Sequence, residues 1–445
     1  MLSIKKNTIS ENKHSNILTL ILTLFSIISI RTFLDNFAYP NTDNTFFPTE
    51  RFVHFYLYFF SVFLSLSLLL YFLTKKSFSS VFNFLLKPFS LILLIPLIDL
   101  TLSGKATDAL KYVPVSTNEL FAVFLKLIDP LSGQGITIGQ HIIFFFMMLF
   151  MAFFVFKNSD SLLKVFLLPF FSYVIIFAYA IIPSIIVMLS FDGSIQGIGT
   201  VDAYNKLLQQ SWLSNTTTGV ELLNKVFIQL NSMHEIFMSR FFWLMATLQI
   251  IIILLLANKT KLNLLKKFLD SKKILLLVIV ALSGTVINQE LFGNISLHNP
   301  INYTTLSVFI AVIALCFWKN MLMINAKVFD ENFSKKEITA INIVSSLLII
   351  FGALTLNRTV VILFIVIQSG YYLYTTHLSR DWEIPIIKPL IFGVISILIS
   401  MSGFFLASPD QRIFAFPIKA ITTIGLFVTI ISIIIQASHR KKRIS

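Results

Sequence analysis

The sequence predicts an all-α protein: a polytopic transmembrane helix bundle of about twelve spans, with both termini cytoplasmic. Three observations carry this. Hydrophobic residues make up 56% of the 445 and charged residues only 13%, where a soluble domain carries about 25% charged. Apolar runs of about 20 residues, enough to cross a hydrocarbon core, recur along the whole chain. Lysine and arginine gather in every second connecting loop, as they do on the cytoplasmic side of membrane proteins.

The runs cover residues 16–34, 52–73, 81–102, 136–156, 162–191, 236–257, 274–292, 303–323, 338–356, 359–374, 389–407 and 413–436. The first follows Lys5, Lys6 and Lys13, as the core of a signal peptide would. Arg31-Thr-Phe-Leu-Asp35 then stands where a small-residue cleavage site belongs, so the run reads as a retained anchor. Basic clusters follow the second, fourth, sixth, eighth and tenth runs. They are Lys75, Lys76 and Lys87; Lys157 and Lys164; six lysines from Lys259 to Lys273; Lys327, Lys335 and Lys336; and Arg380 with Lys388. His439-Arg-Lys-Lys-Arg443 closes the series. The alternate loops carry Asp35, Asp43, Glu50, Asp192, Asp202 and Glu290, with some lysines in the long ones.

The net charge of +14 therefore belongs to loops that face the cytoplasm and needs no nucleic acid to explain it. The partners expected are membrane lipid, with a polyprenyl lipid or a membrane protein as the specific alternatives. The expected location is the plasma membrane of a prokaryotic cell. One cysteine, Cys316, excludes an intrachain disulfide and a cysteine-based metal site.

The two halves differ in their loops. Outer loops are long in the first half, at 35–51, 103–135 and 192–235. Residues 119–129 and 201–213 within them have amphipathic helical patterns, suited to the membrane surface or to packing on the bundle. The second half has short loops. A boundary in the lysine-rich linker 258–273 divides the chain into a six-span region, 1–257, and a second six-span region, 258–445.

Two ionisable residues stand within or beside apolar runs. Asp99 is near the end of the third run, and an acid at that depth marks either a functional site or a carboxylate at the outer interface. Arg31 has two readings: a partner for Asp99, or a side chain that snorkels to the headgroups. His141 opens the fourth run and reads as an interfacial polar residue. Gly133-Gln-Gly-Ile-Thr-Ile-Gly139 lacks the spacing of a phosphate loop and reads as a turn into that run. Asn215, Asn294 and Asn302 each begin a glycosylation sequon, and no HExxH, GxSxG or DFG set is present.

The end of the eighth run concentrates polar residues. Asn325, Asp330 and Glu331 follow it, and Lys335 and Lys336 come next. Oxygen ligands at a helix mouth suit a hard cation, and solvated charges leaving the bilayer are the plainer alternative.

The half from about Lys266 to Gln436 resembles the UbiA-type membrane prenyltransferases. In that family a helix pair leads to a cytoplasmic N-D-x-x-D-x-x-x-D motif, and Ile324-Asn-Ala-Lys-Val-Phe-Asp-Glu331 stands at this position. Two more helices lead to a tyrosine-basic stretch, and Leu373-Tyr-Thr-Thr-His-Leu-Ser-Arg380 stands there, contributing Tyr374 and Arg380. The resemblance implies a helical bundle with a cytoplasmic lipid or diphosphate site made from Asn325, Asp330, Glu331, Lys335, Lys336, Tyr374 and Arg380. Asp330 is the metal-ligand candidate, and Mg²⁺ is the implied cofactor if transfer occurs.

The departures are specific. Ala326 replaces the aspartate that should follow Asn325. Asn325 and Asp330 are five apart, about 140° around a helix, where the family's spacing of four leaves about 40°. The chain ends at Lys441-Lys-Arg-Ile-Ser445, about where the family's second aspartate motif would begin. Ionising an allylic diphosphate needs metal and basic groups around the leaving group, and this set is thin. The expectation is a non-catalytic, UbiA-like lipid- or partner-binding protein without a cofactor. A divergent prenyltransferase and a transporter are the alternatives, the last resting on Asp99, Arg31 and the outer loops.

Overall fold

A computed structural model describes residues 17–38, 49–103, 112, 120–126, 137–159, 161–190, 223–257, 271–292, 300–324, 335–356, 358–373, 387–406, 423, 425–426 and 428–430. The helices are α1 Ile17–Ala38, α2 Thr49–Thr74, α3 Phe78–Phe89, α4 Ile95–Ser103, α5 Leu120–Lys126, α6 Ile138–Asn158, α7 Leu162–Ala180 and α8 Ile182–Ser190. They continue with α9 Leu223–Ala257, α10 Ser271–Phe292, α11 Pro300–Ile324, α12 Lys335–Leu354, α13 Arg358–Leu373 and α14 Ile387–Leu406. No strand occurs among the described residues.

Eleven of the twelve apolar runs coincide with helices, and the twelfth is described only at a few helical positions from residue 423 to 430. Among the described residues, six stretches are long and apolar enough to cross a membrane: Arg51–Thr74, Phe78–Leu102, Ile138–Asn158, Leu162–Ala180, His234–Ala257 and Asn302–Asn320. Shorter apolar helices include Thr19–Leu34, Ile274–Ile287, Ile338–Leu354, Thr359–Gly370 and Leu390–Leu406. Several phenylalanines of α6 and α7, among them Phe145, Phe153, Phe156 and Phe166, project outward. An exposed apolar face of that extent suits contact with lipid or with another protein. These apolar helices are compatible with an integral membrane protein.

Two runs read as single spans are interrupted. In the third, the Pro88 ring lacks an N–H and collides with the carbonyl one turn back, so α3 gives way to a 3₁₀ turn, Ser90–Leu94. Pro96 then sits in the first turn of α4, where its missing donor costs nothing. In the fifth, α7 ends at Ala180 and α8 restarts at Ile182, with Pro183 in its first turn. The amphipathic 119–129 stretch contains α5. It packs on α7 through Val123, which meets Phe177 and Ile181, and through the Tyr173 hydroxyl, which donates to the Phe124 carbonyl. The second such stretch, 201–213, lies outside the described residues.

Helix α2 is the hub of the first half and packs against α1, α3, α6, α7 and α9. Helix α9 touches α2 on one side and α11 and α12 on the other. One apolar core accordingly runs from Leu20 to Val428, across the 257/258 linker. In the second half α10, α11, α12, α13 and α14 each pack on the next, and α14 returns to α10 to close a ring. The closing contact is tight because it has no side chains in the way. A Cβ on Gly284 would lie 1.9 Å from the Ser400 carbonyl oxygen, and one on Gly403 would lie 2.0 Å from that of Ala281. Small residues of this kind let membrane helices approach backbone to backbone.

Candidate functional site

Helices α2 and α9 run parallel, so the same ends of both meet. His54, one turn into α2, touches Glu235 of α9 through Nδ1 and Oε2. Its other ring nitrogen, Nε2, lies 2.6 Å from the hydroxyl of Tyr112. When Nδ1–H donates to the carboxylate, Nε2 is left to accept the Tyr112 O–H, so one tautomer satisfies both contacts. His54 is 1% exposed and the Glu235 side chain 20%, which gives the cluster one wet edge. His234 closes it, with its ring 5.8 Å from that of His54 and 5.3 Å from that of Tyr112. Arg51 adds a positive charge felt by Glu235.

A second polar group lies deeper between α2, α7 and α9. The Ser61 hydroxyl donates to Gln249 Oε1 over 3.1 Å and lies 2.6 Å from the Tyr179 hydroxyl. Gln249 Nε2 donates to Ser65 over 2.7 Å and to Tyr179 over 3.1 Å. Ser65 and Tyr179 are 3.0 Å apart. Three hydroxyls and an amide thus form a closed ring, in which the Tyr179 proton can point to either serine. His54, Ser61 and Ser65 fall on one face of α2, and Ser61 is about 10 Å further along the helix than His54.

Phe242 fills the space between the two groups. Its ring is stacked on His54 at 5.7 Å and 13°, and on Tyr179 at 5.7 Å and 2°. Tyr58 meets it edge-on at 5.3 Å. Phe242 is fully buried.

Arg240 is also fully buried, five residues beyond Glu235. Its Nε donates to the Thr355 carbonyl over 2.8 Å, its Nη2 to the Leu356 carbonyl over 3.1 Å, and its Nη1 to the Thr305 hydroxyl. Those carbonyls belong to the C-terminal end of α12, where unmatched acceptors and the helix dipole favour a cation. Nearby on α9, Trp243 Nε1 donates to the Leu348 carbonyl over 2.8 Å.

Asp99 and Arg31 are both buried, at 3% and 0% exposure. Asp99 Oδ1 accepts the Gly139 N–H over 2.8 Å at the start of α6. Thr137 and Gln140 cap the same helix end in a capping box, so Asp99 satisfies a further donor there. A Cβ at position 139 would lie 2.7 Å from that carboxylate oxygen, which accounts for the glycine. His141 faces back to the same turn, with Nδ1 3.0 Å from the Thr137 carbonyl. The Arg31 guanidinium carbon lies 5.9 Å from the Phe59 ring centre. Helices α1 and α4, which carry Arg31 and Asp99, pack together.

Asn325, Asp330, Glu331, Tyr374 and Arg380 lie outside the described residues. Lys335 and Lys336 open α12. Inside the C-terminal ring, Leu277, Ile313, Cys316, Phe317, Phe364, Ile367 and Ile399 line an apolar cavity of about 10 Å³. That is the size of one water probe, far short of an isoprenoid chain. Among the described residues no cluster of three metal-ligating side chains occurs.

His54, Glu235, Tyr112, Gln249 and Arg240 are the residues that reading the sequence missed. Glu235 and Arg240 carried a signal, two opposite charges five residues apart at the entrance to an apolar run. No protein family, characterised protein or solved structure matches the chain.

Proposed function

We propose that this integral membrane protein handles protons, alone or coupled to a solute, through the N-terminal bundle, and that it is a transport-class protein with twelve spans and cytoplasmic termini. The observation that carries the reading is the contact of His54 with Glu235 inside a helix bundle. Ionisable side chains at membrane depth cost free energy, and where they persist they commonly form ion pathways and proton relays. His54, Tyr112 and Glu235 are each able to take up and release a proton. The ring of Ser61, Ser65, Tyr179 and Gln249 continues the hydrogen-bonding groups further along α2 and α9, with Tyr179 supplied by α7. Infrared difference spectra against pH test the reading. Wild-type protein should show a carboxyl band that Glu235→Gln removes and His54→Gln moves along the pH axis. Identical spectra in all three proteins would refute it.

A second reading concerns the C-terminal half: a UbiA-like, non-catalytic lipid- or partner-binding region. The closed ring of α10 to α14 supports it, because α11 and α13 lead into 325–334 and 374–386, the two segments of the resemblance. The apolar cavity inside the ring, about 10 Å³, is itself too small for an isoprenoid chain.

A further inference from the structure

We infer that Phe242 is a gate between the outer ionisable cluster and the inner hydroxyl–amide ring, closed in the conformation described. This rests on the proton-handling reading and adds to it the point of control. A relay needs donors and acceptors at hydrogen-bonding distance throughout. A phenyl ring offers neither, and Phe242 lies flat between the imidazole of His54 and the phenol of Tyr179. Ring-to-ring separations of 5.7 Å on both sides exclude a hydrogen-bonded water along that line. Tyr58 braces the ring from the side.

Both neighbours of the gate are held by other partners. His54 is fixed by Glu235 and Tyr112, and Tyr179 by Ser61, Ser65 and Gln249. Phe242 alone in this stack is held by packing only, so its side chain is the element free to move without breaking a hydrogen bond. Once it swings aside, a proton leaving Glu235 or His54 passes by way of water to the Tyr179 hydroxyl. Tyr179 accepts it while releasing its own proton to Ser61 or Ser65, and that serine gives up its own proton to water beyond the ring in the same movement, so no hydroxyl is left with an extra proton. The charged and titratable groups that bear on this transfer are Arg51, His54, Tyr112, His234 and Glu235, with Tyr58 and Tyr179 on the inner side.

The test is dissipation of an imposed pH gradient by the full chain in lipid vesicles, with the potential clamped by potassium and valinomycin. Phe242→Ala should raise proton flux over wild type on the order of tenfold, the effect of about 1.4 kcal/mol on a barrier. Phe242→Leu, which keeps an apolar plug, should stay at the wild-type rate. Phe242→Gln keeps the bulk and supplies a polar bridge, and it carries the test if the alanine variant fails to insert. Adding Glu235→Gln to the open variant should return flux to the wild-type level or below. If the open variants match wild type while Glu235→Gln lowers wild-type flux, the gate is wrong and the relay stands. If the raised flux survives Glu235→Gln, Phe242 is a plug but the relay is wrong. Flux equal to empty vesicles in every variant overturns both.

Discussion

The guanidinium of Arg240 and the carbonyl of Thr355, 115 residues apart in the chain, meet at 2.8 Å and tie the first half of the bundle to the second. The cation needs the carbonyls because it is fully buried, and the carbonyls need a donor because α12 ends there. Arg240→Ala should therefore destabilise the protein by about 3 kcal/mol or more, since it strands several acceptors of a charged donor. Arg240→Lys keeps the charge and loses the fork, so it should recover only part. Thermal melts in detergent measure both. Equal melting temperatures for wild type and the alanine variant would show that the contact contributes nothing.

Glycines in the C-terminal ring give a sharper comparison. Gly284 faces the Ser400 carbonyl at a distance no Cβ can occupy, whereas a Cβ at Gly370 would meet nothing within 4 Å. Gly284→Ala should force α10 and α14 apart and lower the melting temperature. Gly370→Ala should be neutral or stabilise by up to about 1 kcal/mol, the helix-propensity gain. The reverse order of effects would contradict the close crossing.

Much of the fold was legible because run length is a direct physical requirement: a helix that crosses lipid needs about 20 apolar residues. The breaks at Pro88 and Pro183 were less visible, since a proline in an apolar run can bend a span or end it. The polar cluster was hidden for a different reason. His54 and Glu235 each sit at the end of a run, where a charge is ordinary, and 181 residues separate them. Only the parallel packing of α2 on α9 brings them together. Asp99 did stand out, and its bond to the Gly139 N–H explains both residues.

Orientation is open to cysteine labelling, because the native Cys316 is buried. In a twelve-span arrangement with cytoplasmic termini, single cysteines in 103–135 and 192–222 should react with an impermeant reagent from outside. Cysteines in 258–270 should react only after the membrane is opened. Outside labelling of that lysine-rich linker would overturn the arrangement.

Prenyl transfer should be absent. Mg²⁺ demands near-octahedral oxygen ligation, and Ala326 supplies no ligand where the resemblance calls for an aspartate. Purified protein given isoprenyl diphosphates and Mg²⁺ should release no diphosphate above background. Release that Asp330→Asn abolishes would establish the prenyltransferase instead.

The central claim is that His54 and Glu235 carry protons, and side-specific flux tests it most directly. In vesicles with the protein in one orientation, an acid-outside gradient should collapse faster than in empty vesicles. His54→Gln and Glu235→Gln should each slow that collapse on the order of tenfold, a barrier change of about 1.4 kcal/mol. Tyr179→Phe should slow it as well, by breaking the inner ring while keeping the aromatic stack. Wild-type vesicles that hold their gradient as long as empty ones, or variants that dissipate it as fast as wild type, would contradict the account.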